Sequence, residues 1–213
     1  FTAGQVAQSQ ANVQSVIDEK IAGFEGAISI DFMERFAFPV PLRIIGDRLG
    51  IPPEKRAFFN EAATAAAATL KLSHVEPDEL IRRTELGLEL QRLLVSLIEE
   101  RRIEPREDMI TILANSKLEE ETRHLTDGEI IGILNQFLVA GHETTTSSFG
   151  WGMLLLCQNP GVQDEIRGDP KLIKTFVEEA LRLEAPVQGL PRRVTRETQL
   201  GGYDLKEGDL VMA

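Results

Sequence analysis

Glu143 and Thr144 stand next to each other in the stretch AGHETTTSS (residues 140–148), which interrupts a long apolar segment. A carboxylic acid beside an alcohol can hold water and relay protons, but a buried carboxylate is costly unless it is paired or close to water. Gly141 inside a helix costs about 1 kcal/mol relative to alanine, and its missing side chain lets a flat ligand approach the backbone. These residues indicate a proton-relay site on a helix. The sequence also allows a polar seam between helices, with Glu143 reaching solvent.

A zinc site is one alternative, because the letters HETTT at residues 142–146 resemble the start of the metalloprotease motif H-E-x-x-H. That motif needs a second histidine four residues after the first, so that both imidazoles face one metal ion. Position 146 holds threonine, and the remaining histidines, His74 and His124, fall in predicted loops. The sequence therefore excludes this zinc motif.

A second pair, Glu179 and Arg182, has the spacing E-x-x-R. Side chains three residues apart share a helix face, although such pairs are common and stabilise a protein surface little. A-G-x-E-T is followed after about 36 residues by E-x-x-R, and then by Pro191–Arg193 (PRR) and Gly201–Tyr203 (GGY). Each motif alone is weak evidence for membership of a protein family, whereas all of them in this order are strong evidence for one.

A long helix is predicted to carry the acid–alcohol pair. Thr126 and Glu129 form the T-x-x-E capping box that begins a helix, and Leu125 and Ile130 occupy the positions of a hydrophobic staple. The helical pattern then continues over about 127–158, a length of roughly 48 Å at 1.5 Å per residue. Consecutive threonines and serines can bond back to carbonyls one turn earlier, so we expect a bent and widened turn at the pair.

The remaining elements define the fold class as mainly α with a small β portion. Helices are predicted over 5–22, within 31–50 after a short turn and ending at Gly50, from Pro52-Pro53 onward, over 79–102, over a short segment with Pro105 near its start, around 162–167 and over 170–183. Residues 117–124 are predicted as a polar loop, and short strands at 192–195, 199–200 and 209–212, with turns at Gly201-Gly202 and Glu207-Gly208. We predict one partial domain over 1–213, with a helical core at 1–184 and strands and turns at 185–213.

Charge and composition narrow the possible partners. The net charge of −11 argues against nucleic acid and against an anionic membrane surface. A membrane span needs about 20 apolar residues, whereas the polar residues 142–148 interrupt the longest apolar segment. One cysteine fits a reducing compartment, and no signal peptide is visible, so we expect a cytoplasmic protein. Both ends look cut, because the chain begins without Met and stops in a predicted strand.

In this order the motifs resemble a cytochrome P-450, a haem-thiolate monooxygenase of the soluble bacterial type, over essentially the whole chain. AGHETT (140–145) is similar to the family's central helix over the distal face of the haem, and EEALRL (178–183) to its E-x-x-R helix. Residues 189–213 are similar to the strands that follow, and FAFPVPLRIIGDRLGIP (36–52) to an upstream helix and turn. The resemblance implies the P-450 fold.

The resemblance also implies roles for single residues near the haem. Glu143 and Thr144 would be the acid–alcohol pair that delivers protons for cleavage of the O–O bond of dioxygen. Ala140 and Gly141 would lie against the haem and leave room for dioxygen. The residues expected to contact haem b are Leu138, Ala140, Gly141, Thr144, Thr145 and Arg193.

Further roles follow from the same resemblance. Arg193 matches a position where the family often places an arginine on a haem propionate, and Arg192 is the competing candidate. Glu179 and Arg182 would clamp the haem-binding core without taking part in the chemistry. The apolar residues expected to line the substrate pocket, with plain core packing as the alternative for each, are Leu134, Phe137, Val187 and Leu190.

The family's iron ligand is a cysteine in the loop F-x-x-G-x-x-x-C-x-G, which this chain does not contain. Cys157 follows Phe149 and Gly152, but it stands five residues after Gly152 instead of four, and Asn159 occupies the place of the last glycine. We therefore expect no metal ligand in this chain, a proximal cysteine beyond Ala213, and no activity from the chain by itself.

The implied function is insertion of one oxygen atom from O2 into a small hydrophobic substrate. Electrons would come from NAD(P)H by way of a reductase and a ferredoxin. Neither nucleic acid nor a membrane is an expected partner. The alternative is a haem-free helical ligand-binding or interaction protein on the same scaffold.

Overall fold

The computed structural model describes residues 3–68, 75–118 and 123–213, so His74 lies outside the described residues. The chain forms two compact units, Phe1–Gly150 and Trp151–Ala213. The predicted organisation, a single partial domain over 1–213, stays a prediction.

Helices make up most of the first unit, as the predicted fold class requires. They are α1 (Ala3–Ala22), a π-helix (Met33–Ala37), α2 (Pro39–Leu49), a 3₁₀ turn (Pro53–Lys55), α3 (Arg56–Ala68), α4 (Pro77–Ile103), α5 (Met109–Asn115) and α6 (Asp127–Gln158), whose last residues belong to the second unit. The antiparallel strands β1 (Lys117–Leu118) and β2 (Arg123–His124) precede α6. The long helix predicted over about 127–158 is confirmed.

Two predicted helix ends are confirmed at the level of single hydrogen bonds. At the start of α6, the Glu129 amide donates to Thr126 Oγ1 at 3.3 Å and the Thr126 amide donates to Glu129 Oε2 at 2.8 Å. Arg123 donates two further hydrogen bonds to this carboxylate, and these bonds together with those from Thr126 lower the pKa of Glu129 to about 2. Gly50 ends α2 in the left-handed conformation with φ 78°, which favours glycine.

The core of the first unit is built by α2 to α6. Its buried apolar members are Leu42, Leu49, Ile51, Phe59, Ala62, Ala63, Leu90, Leu94, Leu97, Ile98, Ile110, Ala114, Ile130, Leu134 and Leu138. Arg101 and Asp108 are buried beside them, and Arg101 Nε donates to Asp108 Oδ2 at 2.7 Å. Arg101 Nη2 also donates to the Gly50 carbonyl at 3.2 Å, so the buried cation joins α4 to the end of α2.

Two predictions in this unit are wrong in detail. The short helix α5 begins at Met109, and Pro105 lies ahead of it, because Asp108 is the N-cap and accepts a hydrogen bond from the Thr111 amide at 2.8 Å. The described part of residues 117–124 contains paired strands instead of only a polar loop, so His124 lies in β2.

The second unit contains the end of α6, α7 (Pro160–Gly168), α8 (Leu172–Leu183) and four short strands. Strands β3 (Pro191–Arg193) and β6 (Leu210–Met212) pair antiparallel, as do β4 (Thr198–Leu200) and β5 (Tyr203–Leu205). Strand β5 was not predicted, although the turn before it was: Gly201 and Gly202 adopt φ of 59° and 84°, the geometry of a two-residue hairpin. Helices end at Leu183 and strands follow, as the sequence predicts.

Candidate functional site on helix α6

A stripe of buried residues recurs every fourth position along α6. Its members, each exposed by 3% or less, are Ile130, Leu134, Leu138, His142 and Thr146. Four residues turn an α-helix by one full turn and about 40° more, so this stripe winds slowly around the helix. It fixes which side of α6 faces the core of the first unit.

Ala140 and Thr144 lie on the other side of α6. Each is two residues, or about 200°, away from the buried positions on either side of it. Ala140 is exposed and Thr144 is half-buried. Ile133 and Phe137 belong to the same side and are half-buried, so this outer face combines apolar side chains with the Thr144 alcohol.

The predicted back-bonding of hydroxyl groups is present in α6. Thr144 Oγ1 donates to the Ala140 carbonyl at 2.6 Å, and Ser148 Oγ donates to the Thr144 carbonyl at 2.9 Å. The expected widened turn is absent from this described segment, because α6 is α-helical without interruption from Asp127 to Gln158. The hydroxyl groups therefore form additional hydrogen bonds within α6, whose backbone hydrogen bonds remain intact.

His142 is a site residue that the sequence reasoning missed. The side chain is 2% exposed, and neither ring nitrogen has a hydrogen-bond partner among the described residues. Its ring centroid lies 6.0 Å from that of Phe38. Burial lowers the pKa of His142, and the charge of Glu143 opposes this shift. The sequence does contain a pattern that predicts its burial: Leu134 and Leu138 are spaced by four residues, and His142 is the next position in that series.

Gly141 has a packing role that competes with its predicted contact to haem. A Cβ at this position would lie 3.2 Å from Ile45 Cδ1, so the missing side chain allows α2 to approach α6 closely. Leu134 and Leu138 belong to the buried core cluster, which favours the core-packing alternative for both. Thr145 is half-buried on the same helix.

The second unit holds the remaining predicted residues. Arg182 donates two hydrogen bonds to the Glu179 carboxylate, at 2.7 and 2.6 Å, on an exposed part of α8, and these bonds lower the pKa of Glu179. Arg193 in β3 is exposed and donates to the Gly208 carbonyl at 3.3 Å. Among the described residues, Arg192 donates to the carbonyl of its neighbour Pro191.

The other predicted contributors are accessible. Val187 is 49% and Leu190 50% exposed in the second unit. Cys157, which the sequence excludes as the iron ligand, is exposed near the end of α6. Residues 3–68, 75–118 and 123–213 contain no group of three or more His, Cys, Asp and Glu side chains that could hold a metal ion. Within the same residues, no helix has the length and apolar character that crossing a membrane requires.

Comparison with known proteins identifies similar sequences over the whole chain. The family model described as Cytochrome P450 matches residues 77–213. The chain is 35% identical over its full length to the putative cytochrome P450 YjiB of Bacillus subtilis, of which it covers 54%. It is 31% identical to cytochrome P450 109 of Bacillus spizizenii, again over its full length and 53% of that protein. The chain thus spans about half the length of the curated relatives it matches.

Solved structures show the same similarity in three dimensions. The whole chain superposes on 51% of cytochrome P450 CYP109Q5 from Chondromyces apiculatus, with a TM-score of 0.87 and 30% identity. It superposes on 56% of CYP109E1 from Bacillus megaterium in complex with corticosterone, with a TM-score of 0.88 and 28% identity. The predicted fold is therefore confirmed.

Proposed function

Because the chain belongs to the cytochrome P450 family, we propose that the protein carrying it is a haem-dependent monooxygenase that inserts one oxygen atom from O2 into a hydrophobic organic substrate. The observation that carries this proposal is the outer face of α6, where an exposed alanine, half-buried apolar side chains and a threonine hydroxyl lie beside a carboxylate. The relative CYP109E1 was solved with corticosterone, a ligand of the proposed kind. We further propose a cytoplasmic enzyme that receives electrons from NAD(P)H through a reductase and a ferredoxin.

The residues on α6 fit the distal side of a haem. Ala140 is exposed and carries only a methyl group, so a flat macrocycle can lie against the helix there. Arg193 presents an exposed guanidinium that donates one hydrogen bond to the Gly208 carbonyl, and such a group can bind a propionate. When bound, the haem supplies the iron centre at which O2 is activated. This chain supplies the distal face, and we place the thiolate ligand outside it.

Thr144 and Glu143 are proposed to control protons on that face. The Thr144 hydroxyl already donates to the Ala140 carbonyl at 2.6 Å, so its oxygen is left with acceptor capacity toward the outer side. Rotation about its side-chain bond would release the proton to an acceptor on that face. Glu143, the next residue, is proposed to return a proton to the hydroxyl through a water molecule, because neighbouring side chains of a helix do not face each other.

The other predicted residues keep proposed roles of a different kind. Glu179 and Arg182 form a two-point ion pair on α8, and we propose that it clamps the fold without entering the chemistry. Phe137, Val187 and Leu190 offer partly exposed apolar surface for a substrate.

The test uses the full-length protein and begins with its reduced carbon monoxide complex, whose red-shifted Soret band reports haem with a thiolate ligand. Thr144→Ala should keep this band but lower product formed per NAD(P)H by about tenfold or more, because positioned proton transfer contributes that much or more to catalysis. Thr84→Ala is the matched control, since Thr84 makes the same bond to the carbonyl four residues earlier on an exposed part of α4. A wild-type protein without the band refutes the enzyme, and unchanged coupling in Thr144→Ala refutes the proton role.

A further inference from the structure

A carbonyl at the junction before α2 lacks the donor that an α-helix normally provides. The π-helix ends at Ala37, which is 0% exposed, and the backbone continues helically through Phe38 into α2. In a helix, the carbonyl of residue 37 would accept a hydrogen bond from the amide of residue 41. Residue 41 is a proline, which has no N–H to donate. A buried carbonyl in this position needs a donor from elsewhere.

Thr146 on α6 supplies that donor. Its Oγ1 donates to the Ala37 carbonyl at 3.1 Å, across 109 positions of the sequence, and the threonine is 3% exposed. This bond differs from those of Thr144 and Ser148, whose hydroxyls bond back within α6. Thr146 is therefore the hydroxyl in the HETTT stretch that bonds to a different element.

Two glycines bring the same segment close to α6 on either side of this bond. A Cβ on Gly141 would lie 3.2 Å from Ile45 Cδ1, and a Cβ on Gly150 would lie 2.9 Å from Met33 Sδ. The contacts at 141, 146 and 150 extend over more than two helical turns and all meet residues 33–45. Among them, the Thr146 hydrogen bond is the directional contact, and it restricts rotation of α6 about its axis.

From this arrangement we propose that Thr146 is a positioning residue that sets the orientation of the Glu143–Thr144 pair through its hydrogen bond to the Ala37 carbonyl. The proposal rests on the proposed function. Thr144 stands two residues before Thr146, or about 200° around the helix. Any rotation of α6 that the bond prevents would turn the Thr144 hydroxyl by the same angle on the outer face.

Three variants of the full-length protein test the role. Thr146→Val keeps the shape and removes the donor, and Thr146→Ser keeps the hydroxyl. Pro41→Ala returns an N–H to residue 41, which can then serve the Ala37 carbonyl within the helix. The readouts are the CO-complex band, the fraction of NAD(P)H electrons recovered as hydrogen peroxide, amide hydrogen exchange over residues 140–150, and urea unfolding.

Thr146→Val should keep the band, raise the peroxide fraction by about two- to tenfold, and speed exchange in α6, because small misplacements of catalytic groups are costly. It should also lower the folding equilibrium constant by about tenfold, because the buried carbonyl loses its donor. Thr146→Ser should behave like the wild type. Adding Pro41→Ala to Thr146→Val should restore folding stability, but it should leave the peroxide fraction raised, because the link between α6 and the junction stays broken.

The outcomes separate this proposal from the proposed function. A wild-type protein without the haem-thiolate band overturns both. A wild-type band with an unchanged peroxide fraction in Thr146→Val overturns the positioning role alone, even if stability falls, because the bond would then be only structural. Recovery of coupling in the Pro41→Ala, Thr146→Val double variant also overturns it, since satisfying the carbonyl would then be sufficient.

Discussion

Replacement of His142 by leucine should stabilise the first unit, although histidine is the natural residue. The His142 ring is 2% exposed, and both of its nitrogens lack a partner among the described residues. A buried polar group without a hydrogen bond costs about 1–3 kcal/mol, and an apolar side chain of similar size avoids that cost. We therefore expect His142→Leu to raise the free energy of unfolding by about 1–2 kcal/mol.

The pH dependence of unfolding provides the sharper measurement. Burial lowers the pKa of His142 in the folded protein below its ordinary value of about 6.5. Below pH 6.5 the unfolded chain then binds more protons at this residue than the folded chain, so stability falls as the pH falls. The neutral ring is fully compatible with folding above pH 6.5, and the loss grows as the pH falls further below that value. His142→Leu should remove this part of the acid slope.

The assay is urea unfolding of the full-length protein at several pH values between about 7.5 and 5. His124→Gln is the matched control, because His124 is exposed in β2 and its replacement should leave the contribution of His142 to the acid slope in place. A His142→Leu variant that is less stable than the wild type, with the acid slope unchanged, would refute the reasoning. It would show that the buried ring carries no net cost in the folded protein.

Two further substitutions test contacts that hold α6 and its neighbours. Asp108→Ala should lower the free energy of unfolding by about 3 kcal/mol, the lower end of the range for breaking a buried ion pair, because Arg101 loses its buried carboxylate partner but keeps the partly exposed Glu100 carboxylate at 3.1 Å. Asp108→Asn should cost less, since it keeps a capping group for α5, and urea unfolding compares the two. Glu129→Gln should flatten the acid limb of the curve of stability against pH. Because the folded pKa of Glu129 is about 2, its carboxylate stabilises the protein above its ordinary pKa, and this stabilisation is lost as the pH falls toward 2. Glu85→Gln, at an exposed position of α4, is the control in acid titrations of stability.

The elements of α6 were predictable because their signals are local. The capping box places Thr126 and Glu129 three residues apart, and the structure shows the reciprocal bonds that this spacing predicts. The length of the helix follows from the absence of proline up to Asn159-Pro160. The Gly201-Gly202 turn was also visible, although β5 after it is only three residues long and carries little periodicity.

The start of α5 shows why some boundaries were placed wrongly. Proline favours the first turn of a helix, so Pro105 was a reasonable start signal. Asp108 is the stronger signal, because its side chain caps the Thr111 amide while its other oxygen accepts from Arg101. That second bond depends on a residue seven positions earlier in α4, which no reading of the local sequence includes.

The sequence of residues 140–148 does not separate buried from exposed polar residues, whereas the structure shows that they face two different sides of α6. His142 and Thr146 face the core of the first unit, whereas Ala140 and Thr144 face outward. Helical spacing alone could have assigned these sides, since Leu134 and Leu138 already mark the buried stripe. It could not have assigned a partner to Thr146, because the need for a donor arises at Pro41, in another helix.

The relationship between Thr146 and the proline at position 41 is therefore visible only in the three-dimensional structure. Read locally, the proline is a tolerated residue in the first turn of α2 and Thr146 is an unwanted alcohol in a buried helix face. Together they make one satisfied carbonyl, at Ala37, and in the positioning role proposed above they also set the orientation of α6. A polar residue on the buried side of a helix can thus determine what the exposed side presents. This is why the outer hydroxyl of Thr144 is better understood from the inner contacts of α6 than from its own neighbours.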